Sequence, residues 1–156
     1  MKSKTLEESI VLHILEVAAQ MAQKGDIITN RVGITTQQWI VMLYIYGDPN
    51  IPNIDKKLTN ETGVLASDIA SALNVSRPNI TNLVNSLVSK GLIYQEADAE
   101  DRRRKLLKIS EQGLELLQQL EPFRRKANSM LFSKFTKEEL SIILKDLQII
   151  LARLRK

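Results

Sequence analysis

Apolar residues recur at intervals of three and four along most of this chain, the spacing of helices that each bury one face. Leu6, Ile10, Ile14, Val17, Ala18 and Met21 make one such stripe. They predict a first helix from about Lys4 to Lys24, with Gly25 as its stop. Thr35 and Gln38 have capping-box spacing, in which a hydroxyl and a carboxamide each satisfy the other residue's backbone N–H. They open a second helix carrying Trp39, Ile40, Met42, Leu43 and Ile45 up to the break at Gly47-Asp48-Pro49. Residues 47–63 then lose periodicity and gather Pro49, Asn50, Pro52, Asn53 and Asn60. A connection this long is either functional or an insertion that the surface tolerates.

Short elements follow in quick succession. A third helix is predicted over Val64 to Leu73, with Ile69, Ala70 and Leu73 inward, and a turn at Asn74. Ser76 is a good N-cap for a fourth helix from Arg77 to Lys90, where Pro78 sits harmlessly in the first turn. Ile80, Leu83, Val84 and Leu87 form its buried stripe and Gly91 ends it. Leu92–Glu96 and Lys105–Ile109 read as paired strands around a polar turn. Ser110 caps a fifth helix carrying Leu114, Leu117 and Leu120, which Pro122 must kink or end. Thr136 with Glu139 opens a last helix, about 30 Å long, whose stripe runs from Leu140 through Ile143, Leu147 and Ile150 to Leu154. The expected fold is mainly α with a small β-hairpin: a winged helix-turn-helix between long N- and C-terminal helices. The boundaries expected are 1–34 for an N-terminal dimerisation helix, 35–110 for the winged helix-turn-helix and 111–156 for C-terminal dimerisation helices.

The middle segment carries the chemistry. No acidic residue occurs between Ser71 and Gln95, as a helix lying among phosphates requires. The polar side of the fourth helix offers Arg77, Asn79, Thr81, Asn82, Asn85 and Ser86. Asparagine can bond adenine with two hydrogen bonds and arginine can do the same to guanine. The helix N-terminus at Ser76 can receive a phosphate on free N–H groups. In the hairpin tip Arg102, Arg103 and Arg104 are suited to a narrow minor groove, and Asp101 can hold one guanidinium in a fixed pose. A charge run alone is usually a solvated loop; its place directly after a helix-turn-helix points instead to double-stranded DNA.

Composition closes other routes. Cysteine is absent and His13 is the sole histidine, which excludes disulfides and thiolate metal sites and leaves no basis for a histidine metal or catalytic centre. No cofactor is expected. No paired carboxylates, nucleophile–base set or phosphate loop is visible, so an enzyme is not expected. Glu7, Glu8 and Glu16 interrupt what would be the core of a signal peptide, and no run is long enough to span a membrane. A cytoplasmic protein without membrane partners is expected. The net charge of +4 is compatible with a polyanionic partner and decides nothing alone.

The segment LNVSRPNITNLVNSLVSKGLI, followed by DAEDRRRKLLKISEQGLELL, resembles the MarR family of winged-helix transcription regulators. The resemblance extends from the first helix to the last. It implies a homodimer with intertwined terminal helices, the fourth helix in the major groove, and a wing arginine, Arg103 braced by Asp101, in the minor groove. It also implies repression relieved by a small-molecule effector bound between the dimer helices and the DNA-reading domain. Three departures stand out. Asn82 and Ser86 occupy positions where the family often has basic residues, the connection after the second helix is long, and Leu65 stands where the third helix usually has a Thr or Ser cap.

The terminal helices carry more apolar surface than a lone small domain can bury, which also argues for a two-fold dimer on a pseudo-palindromic site. His13, Trp39, Met42 and Tyr46 could line the effector pocket or simply pack in a core or interface. A rival reading is a winged-helix protein-interaction module without DNA binding. It would account for Asn82 and Ser86 but fits the arginine wing poorly.

Overall fold

The computed structural model describes residues 2–52 and 63–155, so most of the predicted 47–63 loop lies outside the described residues. Helices α1 (Leu6–Thr29) and α2 (Thr36–Tyr46) are followed by strand β1 (Val64–Leu65), α3 (Ala66–Leu73) and α4 (Arg77–Ser89). The hairpin strands β2 (Ile93–Ala97) and β3 (Lys105–Ile109) lead into α5 (Glu111–Leu131) and α6 (Lys137–Leu154). The sheet is antiparallel with order β1-β3-β2.

One core joins α2, α3, α4, the sheet and the start of α5. Val41, Met42, Ile69, Leu87, Leu107 and Leu120 are almost wholly buried in it. Burying a side chain of this kind is worth about 1.5–3 kcal/mol, so this cluster dominates the stability of the central unit. The predicted stripe of α4 is observed, with Ile80, Val84 and Leu87 buried and Leu83 at the margin.

Three sequence expectations need correction. Helix α1 does not stop at Gly25 but runs four residues further, to Thr29. Gly25 is buried where α1 crosses α2, and a Cβ there would lie 2.6 Å from Thr36 Oγ1. Its role is close approach rather than termination. Helix α5 does not end at Pro122 but continues through it to Leu131. That proline is exposed, so the Gln118 carbonyl that loses its helical donor can face water. The predicted third helix loses its first two residues to β1, which pairs Val64 with Leu107 and Leu65 with Leu106.

Both capping boxes form, at Thr35/Gln38 and Thr136/Glu139, and Thr5, Ser76 and Ser110 cap their helices as N-caps do. Leu65 gives α3 no side-chain cap. Helix α6 buries none of its residues, and Leu6, Ile10, Ile14, Val17 and Met21 of α1 are exposed. A single chain therefore leaves both terminal stripes in water.

Candidate nucleic-acid interface

The recognition surface is set by the turn between α3 and α4. Asn74 takes the left-handed conformation (φ 54°), and its neighbour Val75 donates its N–H to the Ala70 carbonyl at 3.0 Å. Asparagine tolerates this region better than other non-glycine residues. The chain then enters α4 at Ser76, whose hydroxyl accepts the Asn79 N–H at 3.2 Å. Pro78 has no N–H to offer, and the Ile80 N–H goes to the Ser76 carbonyl. Of the donors at the helix start, those of Asn79 and Ile80 are thus taken. Arg77, Asn79, Thr81, Asn82 and Asn85 all lie exposed along this helix.

Ser86 differs from the rest. It is half-buried, and its hydroxyl accepts a hydrogen bond from Gln38 Nε2 at 2.8 Å. Gln38 is itself buried and its Oε1 accepts the Thr35 N–H at 3.0 Å. Gln38 therefore both caps α2 and holds α4 against it. Lys90 Nζ ties the other end of α4 to the Gly33 carbonyl at 2.6 Å. Neither link is visible in the sequence, because the partners are 48 and 57 residues apart.

The wing is equally defined. β2 and β3 pair from Ile93↔Ile109 to Ala97↔Lys105. Two aspartates organise the tip. Asp98 Oδ1 accepts the Glu100 N–H at 3.0 Å; Asp101 Oδ1 accepts the Arg103 N–H at 3.1 Å and Arg103 Nε at 3.2 Å. The expected Asp101–Arg103 brace is thus present in the structure, while Asp98 was not anticipated. Arg102, Arg103 and Arg104 are all exposed. At the base of the wing Lys108 and Glu96 pair at 2.8 Å, and the hydrogen bond to Glu96 raises the lysine above its ordinary pKa. That pairing neutralises the carboxylate that follows the acid-free stretch.

The four residues expected at an effector pocket separate in the structure. A cavity of about 420 Å³ lies between α2 and α5, and Trp39 and Tyr46 line it. Met42 does not: it points into the core with no exposure. His13 does not either; it is exposed on α1, with Nδ1 2.6 Å from the Ser9 carbonyl. The opposite wall comes from α5, through Leu114, Leu117 and Arg124, residues that carry no sequence signal for a pocket. Among the described residues no group of three or more His, Asp or Glu could hold a metal, and no helix is long and apolar enough to cross a membrane.

The sequence model of the MarR family matches residues 32–104, from the turn before α2 to the last arginine of the wing. Residues 32–104 are thus similar to the MarR family and fold as a winged helix. The crystal structure of the Staphylococcus aureus MepR–DNA complex superposes with a TM-score of 0.76 at 25 % identity, covering 96 % of this chain and 99 % of that one. A MarR protein from Peptoclostridium difficile shares the fold with a TM-score of 0.80 at 19 % identity, over 99 % and 93 % of the two chains. Among curated relatives, a protein named as a transcriptional regulator of the hcr operon of Thauera aromatica is 33 % identical over 47 % of this chain and 44 % of its own. The transcriptional activatory protein BadR of Rhodopseudomonas palustris is 28 % identical over 69 % of this chain and 56 % of its own. The chain thus spans about half the length of the curated relatives it matches. Both curated relatives are named as transcriptional regulators.

Proposed function

We propose that this MarR-type chain is a sequence-specific DNA-binding transcriptional regulator acting as a homodimer. The observation that carries the reading is the pairing of an acid-free α4 surface with an arginine wing whose tip is ordered by Asp98 and Asp101. Arg77, Asn79, Thr81, Asn82 and Asn85 would meet base edges or nearby phosphates in the major groove, with Ser76 ordering the helix entry and Ser86 at the margin. Arg103, with Arg102 and Arg104 beside it, would enter the minor groove. The exposed stripes of α1 and α6, in segments 1–34 and 111–156, would close against a second copy and place two recognition helices about one DNA turn apart. MepR, itself seen with DNA, supports the DNA step.

A dimer seated across a promoter excludes other proteins from it, so repression is the effect proposed. A small-molecule effector bound in the α2–α5 cavity would release it by favouring a head spacing that DNA does not. One observation favours the rival protein-interaction module: Asp98, Glu100 and Asp101 offset Arg102, Arg103 and Arg104 at the tip. Two of those carboxylates are committed to backbone N–H groups, which is why DNA remains the better partner.

The test is selection of bound fragments from genomic duplex DNA by the purified protein, repeated over a range of salt. Two-fold-symmetric half-sites and affinity falling steeply with salt are expected. Fragments without shared sequence, bound with little salt dependence, would overturn the reading.

A further inference from the structure

Gln38 is a carboxamide at core depth, only 6 % exposed, and both of its ends are engaged. Its Oε1 accepts the Thr35 N–H at 3.0 Å, while its own backbone N–H goes to the Thr35 hydroxyl at 3.1 Å. A backbone N–H can only donate, so the Thr35 bond decides which end of the carboxamide is oxygen. The NH2 end must then face α4, where Ser86 Oγ accepts it at 2.8 Å. The capping box of α2 thus aims a fixed donor at the recognition helix. One turn further along α4, Lys90 Nζ reaches the Gly33 carbonyl, so both links run to the short segment 33–38. Ser86 and Lys90, four residues apart, share one face of α4, and the exposed Asn82 stands on that face one turn before them.

These links do what the apolar stripe cannot. Ile80, Val84 and Leu87 hold α4 against the core, but hydrophobic contact has no preferred direction and tolerates a small roll of the helix about its axis. With side-chain tips about 6 Å from that axis, a roll of about 10° moves the Asn82 carboxamide by about 1 Å. A two-bond contact to a base edge does not survive such a shift. We propose that Gln38 is a positioning residue for base reading: through Ser86 it fixes the roll of α4, and so sets the sequence discrimination of side chains such as Asn82 without touching DNA itself. Ser86 serves as its anchor rather than as a reader of bases. This role rests on the regulator reading and adds to it a residue outside the DNA surface.

The full chain is titrated with its selected operator duplex and with the same duplex carrying one altered base pair in the major groove of a half-site. Gln38→Met should lower the ratio of the two affinities at least about fivefold, as the loss of a two-bond base contact does, and leave the penalty for an altered pair beneath the wing unchanged. Ser86→Ala should do the same, whereas Ser86→Thr, which keeps the hydroxyl, should preserve the ratio. The double variant should be no worse than either single one, because the same bond is removed only once. Equal weakening on both duplexes, which leaves the ratio intact, would reduce Gln38 to a stability role and overturn the proposal. Additive effects would overturn it too, since Ser86 would then read DNA on its own account. Should Gln38→Met fail to fold, dipolar couplings of the α4 amides in DNA-free Ser86→Ala decide: the roll of α4 should be shifted or averaged, and an unchanged roll counts against the clamp. An unaltered protein that prefers no duplex refutes the regulator reading itself, whereas a strong preference that Gln38→Met retains refutes the clamp alone.

Discussion

Replacing Gly113 by alanine should damage the junction between the wing and α5 more than any other single methyl group added at a glycine. A Cβ at this position would lie 2.1 Å from the Leu92 carbonyl oxygen and 2.9 Å from Ile109 Cδ1. The first neighbour is backbone and cannot rotate away. Helix α5 and the start of β2 must separate by about 1 Å to restore van der Waals contact. That movement strains two bonds at the same corner: Ser110 N–H to the Leu92 carbonyl at 3.1 Å, and the Ser110 hydroxyl to the Gly91 carbonyl at 2.6 Å. Overpacking costs about 1–3 kcal/mol and each weakened hydrogen bond up to about 1 more, while alanine's better helix propensity returns about 1. The net loss should be about 2–4 kcal/mol, or a urea midpoint lowered by about 1–2 M at fixed protein concentration. Because Ile109 belongs to β3, the wing should shift as well and DNA affinity should fall. Gly33→Ala is the control: its φ is +80° but open space surrounds it, so the cost should be about 1 kcal/mol with DNA binding intact. A Gly113→Ala protein with an unchanged midpoint would refute the reasoning.

Arg103→Ala should weaken operator binding and reduce the slope of log affinity against log salt by about two units, one per protomer of the dimer, whereas Asp101→Ala should weaken binding with little change in slope, since it frees the arginine without removing it. Leu147→Glu, in the exposed stripe of α6, should shift sedimentation of the protein from dimer to monomer at micromolar concentration; an unaltered dimer would place the interface elsewhere. Asp26 accepts the Thr36 N–H at 2.7 Å, and that hydrogen bond holds its pKa below the ordinary 3.8. The stabilisation is therefore full above pH 3.8 and is lost as pH falls through the lower folded value, so urea titrations of the native protein and Asp26→Asn should converge in strong acid. A gap that persists there would show that the aspartate acts by something other than its charge.

Much of this architecture was written in local pattern. Helices α2 and α4 announce themselves because a cap, an apolar stripe and a stop lie within one short window, and α6 by its capping box and stripe; such signals act through bonds between neighbours. The wing was legible for the same reason, with two alternating strands, a polar turn and Asp101 two residues from the arginine it braces. Gly25 and Pro122 misled because their usual local meanings, stop and break, yield to context: α1 needs a residue without a side chain where Thr36 approaches, and α5 meets its proline on a solvent-facing side.

The sequence by itself determined where an acid-free helix face and a run of arginines stand, because both are properties of order along the chain. It also determined that the terminal helices need partners, since their stripes exceed what one chain can cover. Only the tertiary structure decided that Met42 belongs to the core, that Ser86 is held by Gln38, and that Arg124 stacks over Trp39. Each of these depends on contacts between residues tens of positions apart, whose energies arise only when packing excludes water from both partners at once.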